Sequence, residues 1–284
     1  MAKKPGSTSL PLLLPAVVVF MGLFFLPMAA LFIESLRLYQ PGSVGASANA
    51  PFTLANYIEL LKPSFVRFFF ETLRISLLAS IAGLFFAFPL AYWITRRLSE
   101  RWRVIAIGFF VTLMFLSVLV RTYALELTFG AAGPLRPFLL SLGISPNGRA
   151  YIEILVGAGL LHYIVPMATL TLLGTIQNVD PRLVDAAQAL GAPGWRAHLS
   201  ITLPLCMRGL LAAFLFAFTF SISAFVIPMI LGKGRVLFIS NLIYNRFSEI
   251  ADYPSGAAIS MVLFAVALAI VYVTSRQIAK RWTS

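Results

Sequence analysis

The sequence predicts an all-α integral membrane protein with six transmembrane helices, on two observations. Hydrophobic residues make up 60% of the 284-residue chain and charged residues only 11%, whereas soluble domains average about 45–50% and about 25%. The mean hydropathy is +0.90, so the chain cannot cover its surface with polar groups in water. The charged residues are also separated by apolar gaps long enough to cross a bilayer.

The gaps between charged residues place the six helices. A hydrocarbon core about 30 Å thick requires roughly 20 consecutive apolar residues in a helix. Several gaps contain proline, which membrane helices tolerate because neighbouring groups satisfy the freed backbone. We treat residues 1–284 as one transmembrane domain, with predicted spans at about 12–33, 75–95, 104–127, 154–176, 209–231 and 255–275.

The first span is predicted to be a retained helix. Lys3 and Lys4 precede an apolar run, as they do in a secretory signal peptide. The run from Leu12 to Ile33 is, however, longer than the 7–15 residues typical of the apolar region of a signal peptide.

The distribution of lysine and arginine predicts that both termini lie in the cytoplasm. Six spans place the two termini on the same side, and cytoplasmic loops carry an excess of these residues. Four cations fall within the eight residues Arg96–Arg103, and the C-terminal tail is basic. The net charge of +12 therefore reflects membrane orientation, and we expect no nucleic-acid partner.

The sequence contains no recognisable catalytic or metal-binding constellation. The single cysteine, Cys206, excludes an internal disulfide and a cysteine metal cluster. No GxxxxGK[ST], HExxH, CxxC or GxSxG motif occurs, and His162 and His198 lie far apart in the predicted topology. An intramembrane protease of the rhomboid type is the enzyme alternative, but Ser255 lacks the glycine that such a serine motif requires upstream.

The inner loop 177–208, between the fourth and fifth spans, is the most informative segment. Asp180 is a good helix N-cap and Pro181 suits the first helical position. The predicted helix runs to Leu190, and Gly191 is the expected left-handed stop. Leu183, Ala186, Ala187 and Leu190 fall on one face of this helix.

A second short helix in the same loop is predicted to begin at Pro193 or Gly194 and to end before Pro204. Two short helices separated by a glycine would form a compact projection under the membrane. In it, Ala186 and Ala187 would allow close approach of a partner, and Asp185 would offer a carboxylate to a basic group. An ordinary amphipathic connector is the alternative interpretation.

These residues resemble a motif of the permease subunits of bacterial ABC importers of the smaller, type I architecture. The motif reads E-A-A, three residues, G, nine residues, then I-x-L-P. Here Asp185-Ala186-Ala187 is followed by Gly191, and Ile201-Thr202-Leu203-Pro204 closes the pattern with the same spacing. Aspartate replaces glutamate at position 185, which keeps the charge and shortens the side chain by one methylene.

The resemblance extends over most of the chain and favours one subgroup. Phe52–Tyr57, Glu71-Thr72-Leu73-Arg74 and Val120-Arg121-Thr122-Tyr123 look like segments of the spermidine/putrescine permeases, most of all their first permease subunit. The subgroup also includes opine importers. Thiamine, ferric iron and sulfate importers are close relatives and remain alternatives, as does a stand-alone secondary transporter.

The resemblance implies a multi-pass protein of the bacterial inner membrane that works in an assembly. Its expected partners are an ATPase dimer, a second permease that is a different chain, a periplasmic solute-binding protein and membrane lipid. ATP and Mg²⁺ would reside on the ATPase, so this chain would bind no cofactor and would not itself be an enzyme.

The resemblance also implies roles for particular residues. The expected ATPase-coupling residues are Asp185, Ala186, Ala187, Gly191, Leu203 and Pro204. A polyamine pathway requires carboxylates and aromatic faces, because ammonium groups pair with the former and stack on the latter. The candidates for that pathway are Tyr123, Glu126, Tyr163, Ser223 and Phe225, and the alternative for Glu126 is an ion pair with Arg121.

Overall fold

The computed structural model describes the backbone of residues 10–42 and 50–281 and the side chains of residues 14–42 and 50–276. Lys3 and Lys4, and the side chains of the basic residues Lys280 and Arg281, lie outside the described residues. In the described ranges all regular secondary structure is helical, and loops connect the helices. One isolated β-bridge joins Arg37 and Phe52.

The N-terminal half begins with α1 (Leu10–Phe20), a five-residue π-helical segment (Met21–Phe25) and α2 (Leu26–Ser35). Five further helices follow: α3 (Ala55–Glu59), α4 (Pro63–Arg96), α5 (Glu100–Phe115), α6 (Val118–Phe129) and α7 (Arg136–Ser141).

The C-terminal half begins with the long helix α8 (Arg149–Gln177). The helices of the inner loop and the fifth predicted span follow: α9 (Arg182–Ala189), α10 (Gly194–Ala197), a π-helical segment (His198–Thr202), α11 (Leu203–Leu205), α12 (Met207–Ile222) and α13 (Val226–Leu231). The remaining elements are α14 (Ile239–Tyr244), a π-helical segment (Asn245–Glu249) and α15 (Tyr253–Arg281).

Within the described residues, four helical stretches are long and apolar enough to cross a membrane, namely Leu14–Ser35, Pro63–Arg96, Arg149–Gln177 and Tyr253–Arg276. Two bent pairs also qualify and raise the number to six if each pair is one span: α5 with α6, bent by 91°, and Gly194–Leu205 with α12, bent by 72°. The helix at the second predicted span begins at Pro63 instead of residue 75 because Arg67, Glu71 and Arg74 are paired within the protein and do not end the helix.

The third predicted span, residues 104–127, is not a continuous helix. Leu116 and Ser117 have extended backbones, with ψ of 131° and 130°, and they end α5 and begin α6. Hydropathy records only whether a side chain prefers lipid, so it cannot detect this change in backbone direction.

The fifth predicted span, residues 209–231, is also broken, because α12 ends at Ile222 and α13 begins at Val226. Side chains of α14 satisfy the carbonyls that this break frees. Ser240 Oγ donates to the oxygen of Ala224 at 2.5 Å, and Asn241 Nδ2 donates to that of Phe225 at 3.1 Å. The unwound segment is therefore held by partly buried side-chain hydrogen bonds, as discontinuous membrane helices require.

The chain divides into two compact units. The first comprises residues up to 66 together with 242–266. Within it, Asn56 Nδ2 donates to the backbone oxygens of Ser35 and Arg37, both at 2.9 Å, and Tyr57 shares a hydrogen bond of 2.7 Å with Ser35 Oγ. These contacts give a structural role to the segment Phe52–Tyr57, because they fix its position at the end of α2.

The second unit comprises residues 67–241 and 267–284 and contains the fully buried face of α8. Helix α8 packs against α5, α6, α12 and α13. At Gly159 an added methyl group would lie 2.7 Å from Leu231 and 2.9 Å from Ile227, so only glycine allows α13 to approach this closely. Small residues at such crossings are typical of membrane helix packing.

Candidate functional site

Helix α9 of the inner loop has defined caps at both ends. At its start, the backbone N–H of Arg182 donates to Asp180 Oδ1 at 3.0 Å. At its end, Gly191 has φ +92°, its N–H donates to Gln188, and the N–H of Ala192 donates to Ala187 at 3.0 Å. This pair of bonds is the Schellman arrangement, and it confirms the predicted left-handed stop. The helix is therefore a short rod whose two ends are fixed by hydrogen bonds.

One face of α9 packs inward and the other is presented outward. Val184 is only 7% exposed and Ala187 is half-buried, whereas Leu190 is 91% exposed. Leu183, Ala186 and Asp185 are also exposed, and Asp185 forms no salt bridge with another residue in the described ranges. The outward face of α9, formed by Leu183, Ala186 and Leu190 beside Asp185, therefore offers apolar area next to one unpaired carboxylate.

The second helical part of the loop differs from the prediction at Pro204. The helix does not end before this residue, because α10 continues through a π-helical segment into α11, which contains Pro204. Pro204 is the second residue of α11, directly after the π-helical segment, and the helical bonding resumes beyond it, where the N–H of Cys206 donates to Thr202 at 3.0 Å. The bend follows at Cys206, between α11 and α12. Leu203 and Pro204 thus lie just before the entry into the fifth span.

His198 connects this part of the loop to α4. Its Nδ1 lies 3.2 Å from Thr202 Oγ1, and its ring makes an edge contact with Tyr92 at a centroid distance of 4.8 Å. Since Tyr92 belongs to α4, the loop is held against a membrane helix by a side-chain contact that the sequence did not indicate.

Arg96, at the end of α4, caps the end of α8. Its Nη2 donates to the backbone oxygen of Ile176 at 2.7 Å and also to that of Val179. The first carbonyl belongs to the last turn of α8 and also accepts the backbone N–H of Val179 at 3.2 Å, and the second lies just beyond the end of the helix. In the sequence, Arg96 counts only as one of the cations that predict the cytoplasmic side. In the structure it joins α4 to the end of α8, where the inner loop begins.

Arg121 is 6% exposed and donates to two backbone carbonyls instead of pairing with a carboxylate. Its Nη2 lies 3.1 Å from the oxygen of Leu116, at the break between α5 and α6, and its Nη1 lies 3.4 Å from that of His162. Pro166 lacks the N–H that the carbonyl of His162 would otherwise accept. One guanidinium thus serves the two carbonyls that the break and the proline leave free.

Tyr163 belongs to the same cluster. The guanidinium of Arg121 lies over its ring at 5.3 Å, and the ring stacks on Phe220 of α12 with a centroid distance of 3.8 Å. The cluster of Arg121, Tyr163 and Phe220 therefore joins α6, α8 and α12. The sequence predicted Tyr163 as a lining residue, and the structure places it in this stack.

Glu126 forms an ion pair with Lys233, so the predicted alternative partner, Arg121, is wrong. Lys233 Nζ lies 2.6 Å from Glu126 Oε1. Lys233 follows α13, and α13 packs on α6 near the end of the third span. The sequence missed this pair because the two residues are distant in the chain and only helix packing brings them together.

The other predicted pathway residues do not join one cluster. Tyr123 is exposed on α6. Ser223 Oγ donates to Thr219 of its own helix at 2.8 Å, at the exposed start of the unwound segment. Phe225 is half-buried at the far end of that segment, and its carbonyl accepts from Asn241.

Charged residues at the start of α4 form a clamp with α8. Glu71 accepts from Arg67 at 2.9 Å and from Arg149, and Arg74 pairs with Glu153. Between them, Thr72 Oγ1 accepts the backbone N–H of Ile239 at 3.0 Å. The segment Glu71–Arg74 thus has a structural role that its sequence alone did not reveal.

A sizeable cavity of the second unit is mostly apolar. It measures about 610 Å³ and lies among α5, α6 and α8, lined by residues such as Phe110, Leu113, Ile154 and Val165. It contains no carboxylate, and a cation in such surroundings would lose its hydration without a counter-charge. A polyamine pathway is therefore not expected to run through it.

The helical fold, the two discontinuous spans and the capped projection together define a multi-pass membrane protein. Comparison with known families makes this specific. Residues 137–284 match the family described as the binding-protein-dependent transport system inner membrane component. The chain belongs to this family, which confirms the predicted importer permease, and it is a multi-pass transport subunit and not an enzyme.

Individual relatives agree with this assignment. The chain is 30% identical over 214 residues to the spermidine/putrescine transport system permease protein PotB of Escherichia coli (strain K12), covering 75% of this chain and 78% of the relative. It is 28% identical to the protein of the same description from Haemophilus influenzae, covering 80% and 79%.

Solved structures confirm the fold. A bacterial ABC transporter involved in the import of the acidic polysaccharide alginate matches with a TM-score of 0.74 at 19% identity, covering 96% of this chain and 95% of that one. The same type of transporter, in complex with an alginate pentasaccharide-bound periplasmic protein, matches with a TM-score of 0.72 at 21% identity.

Proposed function

We propose that this permease translocates a polyamine such as spermidine or putrescine, or a related amine or opine, into the cytoplasm. The observation that carries this proposal is the 30% identity, over three quarters of the chain, to permeases described as spermidine/putrescine transport proteins. The ion pair of Glu126 with the primary ammonium of Lys233 supports it, because this carboxylate contacts the functional group that polyamines carry.

The permease works in an assembly with an ATPase dimer, a second permease chain and a periplasmic solute-binding protein. It lies in the bacterial inner membrane with both termini in the cytoplasm. ATP and Mg²⁺ reside on the ATPase, and this chain binds no cofactor. Support comes from the outward face of α9, whose exposed Leu190 and unpaired Asp185 suit a partner with an apolar groove and a basic group.

Coupling proceeds through the capped rod of α9. Docking of its outward face on the ATPase converts closure of the ATPases into movement of the loop. Arg96 joins the ends of α4 and α8 where the loop begins, and His198 holds the second half of the loop against Tyr92. A displacement of α9 is therefore transmitted to α4 and α8 together. ATP-driven closure opens the pathway outward, and hydrolysis returns it inward.

The test is uptake of radiolabelled putrescine and spermidine by cells that lack other polyamine importers and express this chain with its partner subunits. We expect uptake that unlabelled polyamine suppresses and that thiamine, sulfate and ferric iron do not. Omission of the ATPase should abolish uptake. Uptake that persists without the ATPase would support the secondary-transporter alternative, and uptake of another solute in place of polyamines would overturn the substrate proposal.

A further inference from the structure

A tight turn after α13 directs Lys233 toward the end of α6. Lys233 has φ 49° and the following Gly234 has φ 71°, so two consecutive residues adopt the left-handed conformation, which is unfavourable for lysine. Gly232, on the other side, packs so closely on Pro228 and Val236 that a side chain there would overlap their backbone oxygens. The turn keeps a strained lysine although a third glycine would relieve the strain.

The lysine ammonium occupies only half of the carboxylate that it contacts. Lys233 Nζ lies 2.6 Å from Glu126 Oε1, and the two side chains are 28% and 20% exposed. Glu126 Oε2 is buried and accepts no hydrogen bond from any residue that the structure describes. Gly130 leaves room for the carboxylate, because a side chain there would overlap Oε1. One oxygen of the carboxylate is thus shielded from solvent and is available as an acceptor.

The Lys233 side chain has the same chemistry as the proposed solute. Lysine presents a primary ammonium on a four-carbon stem, and putrescine is a four-carbon chain that ends in the same group. A carboxylate that accepts the first therefore also accepts the second.

We propose that Lys233 is a tethered competitor of the substrate: its ammonium holds the Glu126 carboxylate in the resting permease, and an ammonium of the translocated polyamine displaces it. This inference rests on the proposed function. Because one primary ammonium replaces another, the carboxylate keeps a counter-charge before, during and after passage. Transport requires that a site be favourable enough to enter and weak enough to leave, and competition by Lys233 prevents Glu126 from trapping the polyamine.

The first test is a set of uptake measurements on the assembled transporter with putrescine. Lys233→Gln should lower the maximal uptake rate about ten-fold, because without the competing ammonium Glu126 would hold the polyamine more tightly, and each step of about 1.4 kcal/mol in tighter binding corresponds to a ten-fold change. Lys233→Arg, which restores a cation, should recover most of the rate, and the double variant Glu126→Gln with Lys233→Gln should exceed the single Lys233→Gln. The matched control is Arg136→Gln, which removes an exposed charge from α7, and it should retain the wild-type rate. Equal membrane amounts of all variants confirm folding.

The second test separates displacement from a merely structural ion pair. Acetylation of the Lys233 amine is followed by mass spectrometry in the purified transporter, with ATP and with binding protein that is either empty or loaded with putrescine. Loaded binding protein should raise Lys233 acetylation several-fold over empty binding protein, and in Glu126→Gln the two should be equal.

The outcomes distinguish the two proposals. If wild-type transporter imports putrescine but acetylation is the same with loaded and empty binding protein, or Lys233→Gln behaves like Arg136→Gln, the tethered-competitor inference is wrong and the proposed function stands. If wild-type transporter imports no polyamine, the proposed function fails and this inference fails with it.

Discussion

At the residue scale, each charged side chain within the predicted spans contacts a polar group that would otherwise lack a partner. Arg121 and Glu126 lie five residues apart, so an ion pair between them was a reasonable expectation. The structure instead gives Arg121 two orphan carbonyls and Glu126 an ammonium from another helix. Both charges are visible in the sequence, but the helix break at Leu116 is not. This break leaves the Leu116 carbonyl without a helical partner, and Arg121 donates to it.

Replacing Arg121 by lysine should destabilise the permease although the charge is kept. A single ammonium cannot reach both carbonyls as the planar guanidinium fork does, so at least one buried carbonyl loses its partner at a cost of about 1–3 kcal/mol. We expect a lower melting temperature of the purified permease. Arg101→Lys, at an exposed position on α5, is the control, and an equal melting temperature for the two variants would contradict this role of Arg121.

Gly191→Val should weaken the end of α9. Its φ of +92° is accessible to glycine and tolerated by asparagine, but it costs a β-branched residue about 1–2 kcal/mol. We expect normal membrane insertion with ATP hydrolysis that no longer drives uptake. The control is Gly191→Asn, which should retain most of the coupling, and normal uptake in the valine variant would refute the assigned role.

At the element scale, the structure distinguishes helices that sequence alone treats as equivalent. The caps of α9 were predictable because Asp180 and Gly191 act locally. The continuation of α10 through a π-helical segment past Pro204 was not, because it depends on packing and on the contact of His198 with Tyr92. The end of α8 likewise depends on Arg96 of a different helix.

Asp185→Lys should separate ATP hydrolysis from solute uptake. The exposed carboxylate of Asp185 is proposed to meet a basic group of the ATPase, and a lysine there would place two cations against each other. We expect uptake to fall about ten-fold or more, since like charges juxtaposed in an interface cost several kcal/mol, while the permease still inserts. Asp185→Glu matches the common family pattern and should transport normally; loss in both variants would point to the size of the side chain instead of its charge.

At the scale of the whole molecule, composition and the spacing of charges predict an all-helical membrane protein with six spans, and the described residues contain four, or six if each bent pair is one span. The motif around Asp185 was enough to predict the family. The two bends of 91° and 72° were not predictable, because hydropathy does not depend on helix direction. The same limit explains why the predicted pathway residues do not lie together. Their positions depend on the breaks between α5 and α6 and between α12 and α13.

The orientation of the whole chain is testable by single-cysteine labelling. Cys206 is the only cysteine and is buried, so a Cys206→Ser background provides a chain without thiols. In intact cells, a membrane-impermeant thiol reagent should modify Arg136→Cys but not Leu190→Cys, because α7 is predicted to lie outside and α9 in the cytoplasm. Permeabilised cells should label both. The opposite pattern in intact cells would reverse the predicted topology.

The hydrogen bonds at the two helix breaks also bear on how the permease changes shape. Donors from side chains hold the freed carbonyls of Leu116, Ala224 and Phe225, so a small change of angle at either break would stretch a partly buried bond without replacing it. Each break is then stiff near its resting angle and yields only when a whole bond is exchanged. Such a break would change between discrete arrangements instead of bending gradually. A movement of a few ångströms at α9 would then open the translocation pathway in an all-or-none manner.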